Sequence, residues 1–101
     1  MEIEELQKIQ KEHDYEYWDH DSNELENIRH ITLHVGKLLG KLAAYCEAHE
    51  HQRNFPTVQI KDEVVPDLLF YGLHLANMFN LQLDQQYLQR LKQNKERLQQ
   101  N

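Results

Sequence analysis

Residues 62–79 read DEVVPDLLFYGLHLANMF, the most apolar stretch of the chain. Apolar side chains fall on almost every side of a 3.6-residue repeat, so the segment predicts a helix placed centrally among others. Pro66 stands near its start, where a missing N–H does least damage. Asn80 follows as a residue able to take the left-handed conformation that closes a helix. Asp67, Tyr71 and His74 lie at i, i+4 and i+7, a single polar stripe on this apolar rod. Burying an ionised carboxylate without partners costs several kcal/mol. Asp67 therefore has to face a cation, a hydrogen-bond network or a wet cleft. Pro66, Asp67, His74, Asn77 and Asn80 interrupt the hydrophobic run and argue against a membrane span.

The flanking segments read as helices too. Upstream, Ile28, Ile31, Val35, Leu38, Leu39, Leu42 and Cys46 share one face of a helix expected to end near His49. Ser22 or Asn23, with Glu26 behind, carries a capping-box signature for its start. Ile3, Leu6 and Ile9 predict a short amphipathic helix from Glu2 to about Glu12, before a polar stretch ending at Asp21-Ser22-Asn23. His51 to Thr57, with Asn54 and Pro56, predicts a loop. A last helix is expected over Leu83 to Leu98, with Leu83, Tyr87, Leu88 and Leu91 inward and a fraying Gln99-Gln100-Asn101 end. The fold class is all-α, a bundle of four to five helices in a single domain over residues 1–101.

Composition sets the outer limits. A chain of 101 residues with 40 % hydrophobic residues builds one thin core, so burial shared between copies is expected, as a homodimer or homotetramer. Eleven basic against 17 acidic residues give a net charge of −6, which argues against nucleic acid as partner. The lone Cys46 cannot form an intramolecular disulfide and reads as a small core residue in a reducing compartment. Met1-Glu2-Ile3-Glu4-Glu5 has neither the basic nor the apolar region of a signal peptide. A cytoplasmic protein without membrane contact is expected.

Three polar patterns carry candidate chemistry. His30, His34, Lys37 and Lys41 form one stripe. A His-x-x-x-His pair can bind a transition metal from one helical face, although closed structural sites take four ligands. Otherwise the stripe is an ordinary solvated face, as is the Glu47-Ala48-His49-Glu50-His51 cluster at the helix end. Gly36 and Gly40, at a cost of about 1 kcal/mol each against alanine, suggest a close helix approach. Arg90, Asn94 and Arg97 share a face that can hold phosphates, Arg by bidentate contacts and Asn by its amide; the alternative is a solvated basic face. A Gly-rich phosphate loop, a nucleophile elbow and a Cys-x-x-Cys pair are all missing from the sequence.

Taken together, the chain resembles the MazG-like all-α nucleoside triphosphate pyrophosphohydrolases over nearly its whole length. The opening Met1 to Ile9, the segment Thr32 to Leu38, Asp67 to Asn77, and Leu81 to Leu83 followed by Arg90, Asn94 and Arg97 carry the likeness. The resemblance implies hydrolysis of a (d)NTP to the monophosphate and pyrophosphate, with Mg²⁺ held by acidic side chains on two helices. It also implies nucleotide phosphates on the closing helix. Aligned on these motifs, the three family glutamates of the second helix fall at Leu33, His34 and Lys37. Val64 and Asp67 stand where the family has its Glu-x-x-Asp pair, so only Asp67 keeps its acid.

Mg²⁺ requires a near-octahedral oxygen shell anchored by carboxylates. An ammonium about 4 Å from it repels it by roughly 8 kcal/mol at an effective dielectric of ~20. The expectation is a MazG-like chain that has lost Mg²⁺-dependent turnover, with Lys37, Arg90, Asn94 and Arg97 as nucleotide-phosphate contacts. One alternative is an active hydrolase with atypical metal ligands, from Asp67, Glu63, His34 and His74, suited to Zn²⁺ or Mn²⁺. The other is a non-enzymatic helical protein kept for assembly.

Overall fold

The computed structural model describes residues 1–18 and 22–100. Asp21 in the expected turn and the terminal Asn101 lie outside the described residues. The elements are α1 (Ile3–Tyr17), α2 (Glu24–Glu50), a π-helical turn (Ile60–Val64), α3 (Val65–Met78) and α4 (Leu83–Gln99). Among the described residues there is no strand, so the all-α reading stands. No helix described is long and apolar enough to cross a membrane.

Local chemistry explains the helix ends. Asn23 is the N-cap of α2: its Oδ1 accepts from the Glu26 backbone N–H at 2.9 Å, and its Nδ2 donates to Glu26 Oε1 at 3.2 Å. After α2, Gln52 takes φ 58° and the Arg53 N–H reaches back to the Ala48 carbonyl at 2.8 Å. After α3, Asn80 takes φ 54° and the Leu81 N–H bonds the Ala76 carbonyl at 2.8 Å. Both are left-handed closures with a six-to-one bond, the Schellman arrangement. α1 runs to Tyr17, a turn and more beyond the expected Glu12, because nothing in His13 to Glu16 breaks a helix.

Helical backbone begins at Ile60, ahead of the expected start at Asp62, so Pro66 lies inside the run rather than in its first turn. The proline ring would collide with the carbonyl of the residue four positions before it in a regular helix. The widened turn, closed by the Val65 N–H on the Ile60 carbonyl, immediately precedes it.

The chain gathers into two compact units, Met1–Trp18 with Leu73–Asn101, and Asp19–Gly72. In the first, α1 packs on α4. Gln7 ties this unit together: its Nε2 donates to Asn77 Oδ1 (3.2 Å) and to the Leu81 carbonyl (2.8 Å). Its Oε1 accepts the otherwise orphaned Leu83 N–H at the start of α4 (3.1 Å). Asn77 Nδ2 returns a bond to the Gln7 carbonyl at 2.9 Å. Leu73, His74, Ala76 and Gln10 are buried here.

In the second unit, α2 packs on the π-helical turn, with Ile31, Leu38 and Val64 buried. Lys41 of α2 pairs with Glu63 of the turn, and Gln59 Nε2 donates to the same carboxylate at 3.4 Å. Tyr45 meets Phe55 edge to face at 6.0 Å, fastening the loop after α2.

Several expectations fail at the level of burial. Tyr87, Leu88 and Leu91, expected inward, are exposed, and α4 buries none of its residues. One stripe of a surface helix needs an opposing surface, and these three side chains have none in the single chain. Leu39 and Cys46 also sit on the open side of α2, so Cys46 is not a core residue. Their azimuths lie at the margin of the apolar arc centred on Ile31 and Leu38. The buried part of α3 is its second half; Val65, Leu68 and Leu69 are exposed. A Cβ built on Gly36 or Gly40 meets nothing within 4 Å, so no close helix approach accounts for either glycine.

Candidate functional site

The residues singled out on α2 and early α3 meet in the second unit. His30 and His34, one turn apart, bring their Nε2 atoms to 3.0 Å, with ring centroids 4.5 Å apart and planes crossing at 72°. His34 stacks nearly parallel on Tyr71 of α3, 5.6 Å between centroids and 13° between planes. Leu33, His34 and Lys37 line one open depression together with His30, Thr32 and Gly36. Asp67, half-exposed at the start of α3, lies close enough to act on the charge of both His34 and Tyr71.

The electrostatics of this cluster favour neutral rings. Loss of water around His34 pushes its pKa below the ordinary 6.5, and neighbouring His30 and Lys37 push it the same way, against the opposing pull of Asp67. Tyr71 is held above the ordinary value, first by burial and then by the Asp67 carboxylate.

A lowered histidine pKa fixes a sign. The unfolded chain takes up the proton first as pH falls through 6.5, so His34 contributes full stability above that value and progressively less below it. An NMR titration of the histidine Cε1–H resonances is expected to give His34 a midpoint under 6.5. His34→Gln is expected to flatten the loss of stability between roughly pH 6.5 and 5. A midpoint at or above 6.5 would mean that Asp67 outweighs desolvation.

Other expected site residues are placed differently. Val64 is fully buried and is part of the packing between α2 and the π-helical turn. The carboxylate of Glu63 is engaged by Lys41, whose donated hydrogen bond holds it below the ordinary carboxylate range. Arg90, Asn94 and Arg97 are on α4 in the first unit, where Arg90 Nη1 donates to Gln93 Oε1 at 3.4 Å.

His74 is also in the first unit, buried at 5 % exposure. Its Nδ1 lies 2.6 Å from Asp14 Oδ2, off the line of an aligned hydrogen bond, and Trp18 stacks on its ring at 4.0 Å. Gln10 Nε2 donates to the other Asp14 oxygen at 2.8 Å. The pairing of Asp14 with a residue 60 positions away has no signal in local spacing. The sequence stripe of Asp67, Tyr71 and His74 is thus divided between an open cluster and a buried one. Among the described residues, no three His, Cys, Asp or Glu side chains converge as a metal-ligand set.

Compared with known proteins, the chain matches no family model, no curated protein and no solved structure.

Proposed function

We propose that the chain is a MazG-like helical protein that binds the phosphates of a nucleotide and no longer hydrolyses it with Mg²⁺. The observation that carries this reading is the open depression holding Leu33, His34 and Lys37, with Asp67 as the nearby carboxylate. These residues do not fit Mg²⁺, whose shell is built from several oxygen donors. Leu33 offers no donor, Lys37 offers a positive charge, and Glu63 is already satisfied by Lys41. The same replacements suit an anion. The Lys37 ammonium can take a phosphate as a point charge, and Arg90 with Arg97 supplies planar forks for another.

Pyrophosphate release from a panel of NTPs and dNTPs, with Mg²⁺ and with Mn²⁺, is expected to stay at background. Calorimetry is expected to show nucleotide binding that does not depend on added metal and that Lys37→Glu weakens by about tenfold, or 1.4 kcal/mol. Robust turnover abolished by Asp67→Ala would overturn the loss of catalysis. Absence of heat with every nucleotide would remove the binding reading.

A second reading is favoured by the exposed apolar side chains of α4. Tyr87 and Leu88 are 62 % exposed and Leu91 is 50 % exposed on one helix. Clusters of this kind mark surfaces that a partner covers, here a second copy of the chain in a homodimer or homotetramer. A nucleotide-blind protein that sediments as a stable oligomer would support assembly as its role.

A further inference from the structure

We propose that His30 and His34 form a two-nitrogen chelate for a divalent transition-metal ion of the Zn²⁺, Ni²⁺ or Cu²⁺ class. The proposal does not depend on the nucleotide reading. Its basis is the approach of the two Nε2 atoms to 3.0 Å on one face of α2. Imidazole nitrogens bind Zn²⁺ at about 2.0–2.1 Å, so two ligands subtending 90–110° at the ion stand about 2.9–3.4 Å apart. The observed separation lies in that interval. Both residues are held at i, i+4 by a 27-residue helix, so little conformational freedom is lost when the ion arrives.

Donor type decides which ions fit. Imidazole suits Zn²⁺, Cu²⁺ and Ni²⁺, whereas Mg²⁺ and Ca²⁺ take oxygen ligands. Lone pairs are available where the rings are neutral, and desolvation with neighbouring positive charge drives His34 toward that state. Lys37 opposes a second positive charge in the depression, and Asp67 acts in the other direction on His34. The stack of Tyr71 on His34 fixes the ring plane, as partners that orient a ligand do at other metal sites. With two protein ligands, the remaining coordination positions open onto the depression lined by Thr32, Leu33 and Gly36. Water or an anion completes the shell there.

The test uses the full chain without a histidine tag. Titration with ZnCl₂ and with NiCl₂ by calorimetry is expected to show a binding event that MgCl₂ does not give. His30→Gln and His34→Gln are each expected to weaken it by at least about tenfold. The double variant His49→Gln/His51→Gln, on the same helix end, is expected to leave it unchanged. Independently of any variant, adding Zn²⁺ to the ¹⁵N-labelled wild type is expected to shift the Nε2 resonances of His30 and His34. Equal affinity in His30→Gln, His34→Gln and wild type would overturn the proposal. So would Zn²⁺-dependent shifts confined to other histidines.

Discussion

Asp14→Ala is expected to destabilise the protein by about 3 kcal/mol, read from the midpoint and slope of urea unfolding. Asp14 and His74 are respectively 12 % and 6 % exposed at their side chains and lie 2.6 Å apart, with Gln10 donating to the second carboxylate oxygen. Removing the carboxylate strands three donors at once, among them the Nδ1 of a buried ring and the amide of the buried Gln10. An orphaned buried polar group costs about 1–3 kcal/mol. Asp14→Asn keeps the shape and one acceptor oxygen, and is expected to fall between the wild type and the alanine variant. A loss under about 1 kcal/mol for alanine would mean that water reaches the imidazole and replaces the carboxylate.

Leu38→Ala is expected to cost about 2–5 kcal/mol through the lost transfer energy and the cavity left behind. Leu38 is 3 % exposed and belongs, with Ile31 and Val64, to the small set of buried apolar residues of its unit. The neighbouring Leu39, 56 % exposed, provides the internal control: Leu39→Ala is expected to stay within about 0.5 kcal/mol. Similar losses at both positions would mean that the open side of α2 is covered in solution, and would direct attention to self-association.

Where local chemistry decides an element, its mark is in the sequence. The reciprocal bonds of Asn23 and Glu26 and the left-handed Asn80 follow from the side-chain reach and backbone tolerance of those residue types. The bounds of α2 and α4 follow from hydrophobic period. Burial is less legible. Leu88 and Leu91 repeat as inward residues do, yet a repeat states only that a stripe exists and not that the same chain supplies its cover. Polar partners were hardest to read. The stripe on α3 showed that Asp67, Tyr71 and His74 required company, but Asp14 and Gln10 reach His74 through tertiary packing. The spacing of His30 and His34 was visible, whereas the stack of Tyr71 on His34 joins residues 37 positions apart.

The irregular turn at Ile60–Val64 has a consequence for how this chain tolerates change in length. One residue of α-helix advances the azimuth by about 100°. Deleting a single position between Gln59 and Val65 would let the backbone relax into an ordinary coil, but everything after it would rotate by that step. Asp67 and Tyr71 would then swing off the face that meets His34, with every contact inside α3 itself unchanged. The bulge thus acts as a phase setting for the helix behind it, and point substitutions there should be borne far more easily than insertions or deletions.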